Sequence, residues 1–337
     1  TSELIPNDYV LIATGSRPAE LPFLSFDHQV VLSSNDILKM TELPQSIAII
    51  GGGVIGMEFA SLLNDFGVDV TVIEAGERIL PSENKSVTQT LKKHLNDRGV
   101  QIRENVQLSE DQIQISDDSA EIKLENETLQ VDKILLAVGR KPNTEDIGLN
   151  NTKINLDEKG FIEVNNKQQT QEQHIYAAGD CIGKLQLAHA GSKEGTIAVE
   201  AMFEDSVIPV DYNAIPKCVY TYPEIASIGM NVEQAKAADY KKARSFKVPF
   251  KAIGKAVIED ANQQDGFCEV VVDQETDSVL GLSMIGPHVT ELINEVALLQ
   301  FMNGSTLELG LTTHAHPSLS EVLMEAGLKA AKRSVHA

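Results

Sequence analysis

Between Gln45 and Pro142, unbroken apolar runs alternate with stretches of helical period. SIAII, residues 46–50, leaves no face for water, as expected of a strand covered on both sides in a parallel sheet. VIGMEFASLLNDFG then repeats apolar residues at helical spacing as far as Gly67, and VDVTVIEAG returns to a strand. VTQTLKKHLNDRG and VQIRENV repeat helix and strand. DQIQISDD, AEIKLENE and TLQVDKILLAVG read as a small meander feeding a last strand. Strand, helix and strand in this order predict a right-handed, doubly wound Rossmann-type α/β domain.

Upstream, DYVLIAT at 8–14 reads as a buried strand before the turn Gly15–Ser16–Arg17–Pro18. A linking segment from Asn143 to Val210 carries IYAAGDCIG and the helix-like AHAGSKEGTIAVEAMF. Beyond Ile215 the order changes. Strands (KCVYT, SFKVPF, FCEVVVD, VLGLSMIG) precede helices (HVTELINEVALLQFMN, SLSEVLMEAGLKAAK), which predicts an α+β domain on an antiparallel sheet. A chain of 337 residues accommodates two or three such domains.

Charge narrows the partners. There are 49 acidic against 28 basic residues, a net charge of −21, and such a surface repels nucleic acid and anionic membranes. No apolar run reaches the length of a membrane span. Cys181, Cys218 and Cys268 lie far apart, with no CxxC and no metal-ligand cluster, so they read as ordinary small buried residues. No signal peptide is visible, which favours the cytoplasm. The chain opens TSELIPNDYVLIATG, without methionine and almost at once in a strand, so further residues are expected upstream.

Two stretches carry chemistry. Gly51-Gly52-Gly53-Val54-Ile55-Gly56 fits G-x-G-x-x-G, a weak pattern by itself. Here it follows a strand, opens a helix, and is followed by Glu74, 18 residues past Gly56 at the end of the next strand. Gly51 makes the tight turn, Gly53 lets a pyrophosphate approach, and Gly56 allows helix and strand to pack closely. The helix N-terminus offers N–H groups to the diphosphate. Glu74 accepts bonds from ribose hydroxyls and repels a 2′-phosphate, which favours NAD over NADP.

The second stretch is LTTHAHPSLSEV, 311–322. Pro317 suits the first turn of a helix, which puts His316 just before it and Glu321 one turn inside. A carboxylate placed there could orient an imidazole as a general base. A capped surface helix with two incidental histidines fits the same letters.

Taken together, ATGSRP (13–18), GGGVIGMEF (51–59), AVGRKPNT (137–144), YAAGDC (176–181), LAHAGSKEG (187–195) and HPSLSE (316–321) resemble the motifs of the flavoprotein pyridine nucleotide-disulfide oxidoreductases. The resemblance covers essentially the whole chain and is closest to the dihydrolipoamide-oxidising branch. It implies FAD and NAD as cofactors, a homodimer, and service to the lipoyl domain and acyltransferase core of a 2-oxo acid dehydrogenase complex. It divides the chain into the end of an FAD-binding domain (1–40), an NAD-binding domain (41–142), an FAD or central segment (143–212) and a dimerisation domain (213–337). Thr14 and Gly15 would lie along FAD, Asp180 would hold a ribityl hydroxyl, and Ala188 and His189 would open a helix facing the flavin. Glu58 would lie near the nicotinamide, Val106 near the adenine and Gly139 beside bound NAD.

The resemblance also tips the reading of the second stretch. His316 would be the base that takes a proton from the dihydrolipoyl thiol in the partner subunit's site, with Glu321 fixing its tautomer. His314 would be a supporting or surface residue. That family's first glycine-rich loop and its C-x-x-x-x-C redox pair are not among these residues. The polypeptide alone is therefore expected to lack disulfide chemistry and to bind FAD weakly or not at all. Two alternatives stay open. One is another member of the same family, although Glu74 stands where NADP-dependent members usually need arginine. The other is a non-catalytic nucleotide-binding and dimerisation module.

Overall fold

A computed structural model describes residues 5–204, 206–259 and 265–334. The chain falls into two compact units: Thr1–Ala19 with Gly139–Tyr212, and Glu20–Val138 with Asn213–Ala337.

The second unit holds the doubly wound α/β part. Five parallel strands stand in the order Val31–Leu32, Lys133–Leu136, Ser46–Ile50, Asp69–Ile73, Gln101–Arg103. Ile47, Ala48 and Ile49 of the central strand are fully buried, which accounts for its lack of polar positions. Each such isoleucine contributes about 1.5–3 kcal/mol relative to exposure. The helix Val54–Asp65 follows the central strand, and Lys85–Asp97 follows the strand beside it. In the latter helix Val87, Leu91 and Leu95 repeat every four residues and are fully buried. The side chain of Asn84 caps its first turn by accepting from the Ser86 N–H at 3.1 Å. The meander is present as an antiparallel three-stranded sheet, Ile113–Ile115, Ala120–Lys123 and Thr128–Val131.

The same unit carries an antiparallel five-stranded sheet in the order Lys217–Val219, Glu224–Gly229, Val279–Gly286, Phe267–Asp273, Ala243–Pro249. Val289–Phe301, Thr306–Leu311 and Glu321–Ala330 are its main helices. Glu224–Gly229 was not anticipated: KCVYT reads as the strand of this stretch, yet a second strand follows it and pairs back antiparallel. Val219, Ile225, Phe267 and Ile285 of this sheet share one apolar core with Ile49, Met57, Leu91 and Leu95 of the nucleotide-binding part.

In the first unit Val10–Ile12 pairs in parallel with Ile175–Ala177, and Ser16–Pro18 pairs antiparallel with Arg140–Pro142. The strand expected at 8–14 is shorter, and its three residues are only half-buried. The helix Ala188–Phe203 follows. Among the described residues no helix is long and apolar enough to cross a membrane. No group of histidine, cysteine and acidic side chains among them could hold a metal ion.

Candidate functional site

Gly51 ends the central strand with φ +113°, and a side chain there would place its β-carbon 2.4 Å from the Ala137 carbonyl oxygen. A β-carbon on Gly56 would lie 2.0 Å from the carbonyl oxygen of Gly51. Only glycine permits either approach. Gly53, by contrast, faces open space, with no heavy atom within 4 Å of where its β-carbon would stand. It is also the N-cap of Val54–Asp65 and has no side chain to cap the first N–H groups. An open cradle ringed by uncapped amides fits a diphosphate.

Glu74 closes this loop. Its carboxylate accepts the Gly52 N–H through Oε2 and the Gly76 N–H through Oε1, each at 2.6 Å. The Val106 N–H donates to the Glu74 carbonyl at 3.0 Å, so Val106 and Glu74 are neighbours, as a shared adenosine site requires. Glu58 lies elsewhere on the loop helix. It accepts the Tyr220 N–H at 2.9 Å, and burial raises its carboxyl above the ordinary range against that bond. Tyr220, which sequence reasoning missed, is 68% exposed beside it.

Gly56→Ala should separate helix from strand. Overpacking of this kind costs about 1–3 kcal/mol. A lower unfolding midpoint and NADH binding weakened by about tenfold or more are expected. Thermal unfolding and nucleotide titration check this, and an unchanged pair of values would contradict the close approach.

His316 and Glu321 meet. The imidazole Nδ1 lies 2.9 Å from Glu321 Oε1, and the carboxylate's other oxygen accepts the Ser318 N–H at 2.9 Å. The Ser318 N–H, and after it the His316 ring, hold the Glu321 carboxyl below its ordinary range. An ionised carboxylate can only accept, so Nδ1–H donates to Glu321, and in the neutral tautomer that makes this bond Nε2 is the nitrogen with a free lone pair. The imidazole is 78% exposed. Pro317 is not in the first helical turn, because the helix begins only at Glu321. The Ser318 bond to Glu321 keeps residues 317–320 in a turn. His314 is no surface residue either. Its side chain is 5% exposed, with Nδ1 2.9 Å from the Thr312 carbonyl and Nε2 2.7 Å from Glu295 Oε1.

The first unit gathers Thr14, Gly15, Gly139 and Asp180, together with two residues not singled out from sequence. Ser16 Oγ donates to Asp180 Oδ2 at 2.5 Å and accepts from Arg140 Nε–H at 2.6 Å. Arg140 also donates to the Ser16 carbonyl at 2.9 Å. Asn143 holds the preceding backbone, through its N–H to the Gly15 carbonyl and its amide to the Thr14 carbonyl. Gly15 and Gly139 both face open space.

Ala188 and His189 open a helix whose N-cap, Leu187, has no polar side chain to offer. Glu194 on that helix is fully buried. It accepts the Gly179 N–H at 2.7 Å and the Tyr212 hydroxyl at 3.0 Å, which fixes the turn leading into Asp180. Burial raises its carboxyl and is the main cause that pushes the Tyr212 phenol up to about 12. The signal was present in sequence: Glu194 interrupts the apolar stripe Ala190, Ile197, Ala198 at helical spacing. A fixed carboxylate, an open backbone edge and an uncapped helix start fit the ribityl chain and ring of a flavin.

All three cysteines are free. Cys181 and Cys268 are buried as expected, whereas Cys218 is half-buried. Burial pushes its thiol up to about 11, with Glu224 and other carboxylates adding to the shift.

Residues 1–195 match the model of the pyridine nucleotide-disulphide oxidoreductase family, and residues 215–327 match that family's dimerisation domain. A dihydrolipoyl dehydrogenase of Bacillus subtilis (strain 168) is 46% identical over 337 residues, covering 99% of this chain and 70% of its own length. A dihydrolipoyl dehydrogenase of Chlamydia pneumoniae is 40% identical over 334 residues, covering 99% and 71%. The crystal structure of LpdA from Mycobacterium tuberculosis superposes with a TM-score of 0.88 at 28% identity, covering 96% of this chain and 69% of that one. The HOCl-induced flavoprotein disulfide reductase RclA of Escherichia coli, as its Cu(II) complex, superposes at 0.87 with 28% identity, covering 95% and 72%.

Proposed function

The chain belongs to the pyridine nucleotide-disulphide oxidoreductases, and from that premise we propose that it acts as a dihydrolipoyl dehydrogenase, reoxidising the dihydrolipoyl groups of a 2-oxo acid dehydrogenase complex at the expense of NAD⁺. The observation that carries this reading is the His316–Glu321 pair, an exposed imidazole with one nitrogen held by a carboxylate. Over the whole reaction the dithiol loses two electrons and two protons, NAD⁺ takes a hydride, and one proton goes to solvent.

Nε2 of His316 takes the proton from a dihydrolipoyl thiol, because only the thiolate attacks a disulfide at a useful rate. Glu321 holds the ring in the tautomer that can accept it and stabilises the imidazolium once formed. Cys181, Cys218 and Cys268 are all free, two of them buried, and none pairs with another in this structure. FAD, when bound, supplies the two-electron relay between thiol and nicotinamide. Asp180, set by Ser16 and Arg140, would hold the ribityl chain, with Thr14 and Gly15 along it and Ala188 and His189 at the ring. Gly51–Gly56, Glu74, Val106 and Glu58 would hold NAD.

A homodimer supports this arrangement. Leu298, Phe301, Met302, Leu307 and Leu311 are large, apolar and exposed, all within the region matched by the dimerisation domain. An obligate interface of about 2,000 Å² or more is expected over this region. Its partners would be the lipoyl domain and acyltransferase core of the complex. The free thiols suit a reducing compartment such as the cytoplasm.

Mixed dimers test the reading. One subunit carries His316→Ala and the other Asp180→Leu, which removes the flavin anchor. If the histidine serves the opposite subunit's site, the heterodimer has one complete site and recovers about half of the wild-type dimer's activity. A purified heterodimer with none would contradict the shared site.

A further inference from the structure

We propose that His314, joined to Glu295, is the positioning residue that aims His316. It does so by tethering the loop before Glu321–Ala330 to the neighbouring helix Val289–Phe301. This rests on the reading of His316 as the base.

His316 is exposed, but two residues earlier the His314 side chain is only 5% exposed. Burial of an imidazole is tolerated when its polar atoms have partners. Both partners here are acceptors, so a neutral ring donates to one of them and only an imidazolium donates to both. The shorter contact is to Glu295 Oε1 at 2.7 Å, 19 residues away, against 2.9 Å to the local Thr312 carbonyl. The loop from Thr312 to Ser320 therefore has two anchors with opposite directions. Its far end is held by Glu321, which takes both the Ser318 N–H and the His316 ring. Its near end is held by His314 on Glu295.

Glu321 fixes the ring of His316 relative to the helix that follows. The His314–Glu295 bond ties the preceding backbone to Val289–Phe301 through polar side chains, whereas the Thr312 hydroxyl returns to the Glu308 carbonyl on its own short helix at 2.7 Å. A base displaced by about 1 Å can lose on the order of 10²-fold in rate. A polar bond holding the approach to the base is therefore worth more to the reaction than to the fold. Glu295 is partly exposed at 37%, so it is a poor choice for mere core filling.

The test uses the protein as its gene encodes it, assayed in two half-reactions: reduction by dihydrolipoamide and reduction by NADH. Glu295→Ala and His314→Ala are each expected to lower kcat with dihydrolipoamide by about 10- to 100-fold, with little change in KM. NADH-driven reduction should stay near wild type. Glu295→Gln offers both an acceptor and a donor to Nε2 and should restore most of the rate. The double alanine variant should be no slower than the slower single, because both remove one bond.

Equal losses in both half-reactions, a glutamine variant as slow as the alanine, or alanine variants with full thiol activity would each overturn the proposal. Should His314→Ala fail to fold, Glu295→Ala at its partly exposed position carries the same test. His316→Gln is measured alongside. Full activity there overturns the base and this proposal together. A large loss there, with none in Glu295→Ala, overturns this proposal alone.

Discussion

Replacing His316 by glutamine slows the reaction with dihydrolipoamide by about 10²–10⁴-fold, the usual cost of losing a general base, or roughly 3–5 kcal/mol of barrier. Glutamine keeps much of the bulk and can still bond to Glu321, so the loop should stay in place. It cannot carry the proton. Reduction of bound flavin by NADH needs no thiol base and should stay near its original rate. Rapid mixing with each reductant separates the two, and a uniform loss would mean the substitution disturbed the fold.

Glu321→Gln should cost less, since it weakens the ring's orientation without deleting the base. Acid acts on the same contact. The Glu321 carboxyl is held below its ordinary range, so the stability it contributes is complete above that range and is lost only as pH falls through the lowered value. The dyad should therefore survive mild acid, and a loss of loop order at a pH where ordinary carboxylates remain ionised would contradict the Ser318 and His316 contacts.

What could be read from sequence was local. The glycine loop was legible because strand, turn and helix follow one another without interruption, and a strand buried on both faces shows as an unbroken apolar run. Glu74 was legible because the next strand ends a fixed distance later. His316 and Glu321 lie five residues apart, a spacing at which a turn or helix start can bring side chains together.

The remainder depends on pairings that no local pattern encodes. Ser16 meets Arg140 across 124 residues and Asp180 across 164. Glu58 meets Tyr220 across 162. Each pairing exists only because elements distant in sequence lie side by side, and a side chain's period reveals its face but not its partner. Packing between sheets is equally hidden: the antiparallel sheet and the nucleotide-binding sheet bury one continuous core, which the order of strands and helices does not announce. The start of the last helix was misjudged for a more local reason. Proline is tolerated in a first turn, but Glu321 reaching back to the Ser318 N–H competes for the same residues and delays the helix.

Nucleotide choice is the second large effect. Two N–H groups of the loop, from Gly52 and Gly76, already point at the two oxygens of Glu74. Each oxygen keeps lone pairs for a ribose hydroxyl, and bonds to a charged acceptor are worth about 1.5–3 kcal/mol. A 2′-phosphate in the same place meets like charge instead. NADH should therefore bind more tightly than NADPH by about 10- to 100-fold or more. Glu74→Gln retains one acceptor oxygen but turns an NH₂ toward one of the two loop N–H donors, so a donor faces a donor and the loop loses one of its ties. NADH affinity should fall about tenfold, while NADPH, freed of the repulsion, should fall less or improve. The ratio of the two dissociation constants, from fluorescence titration of both nucleotides against both proteins, isolates the charge from the general loosening, because loosening weakens both nucleotides alike. A wild-type protein that binds the two equally would sink the assignment of Glu74 to the ribose. A ratio unchanged by Glu74→Gln would leave the carboxylate as a brace for its own loop and nothing more.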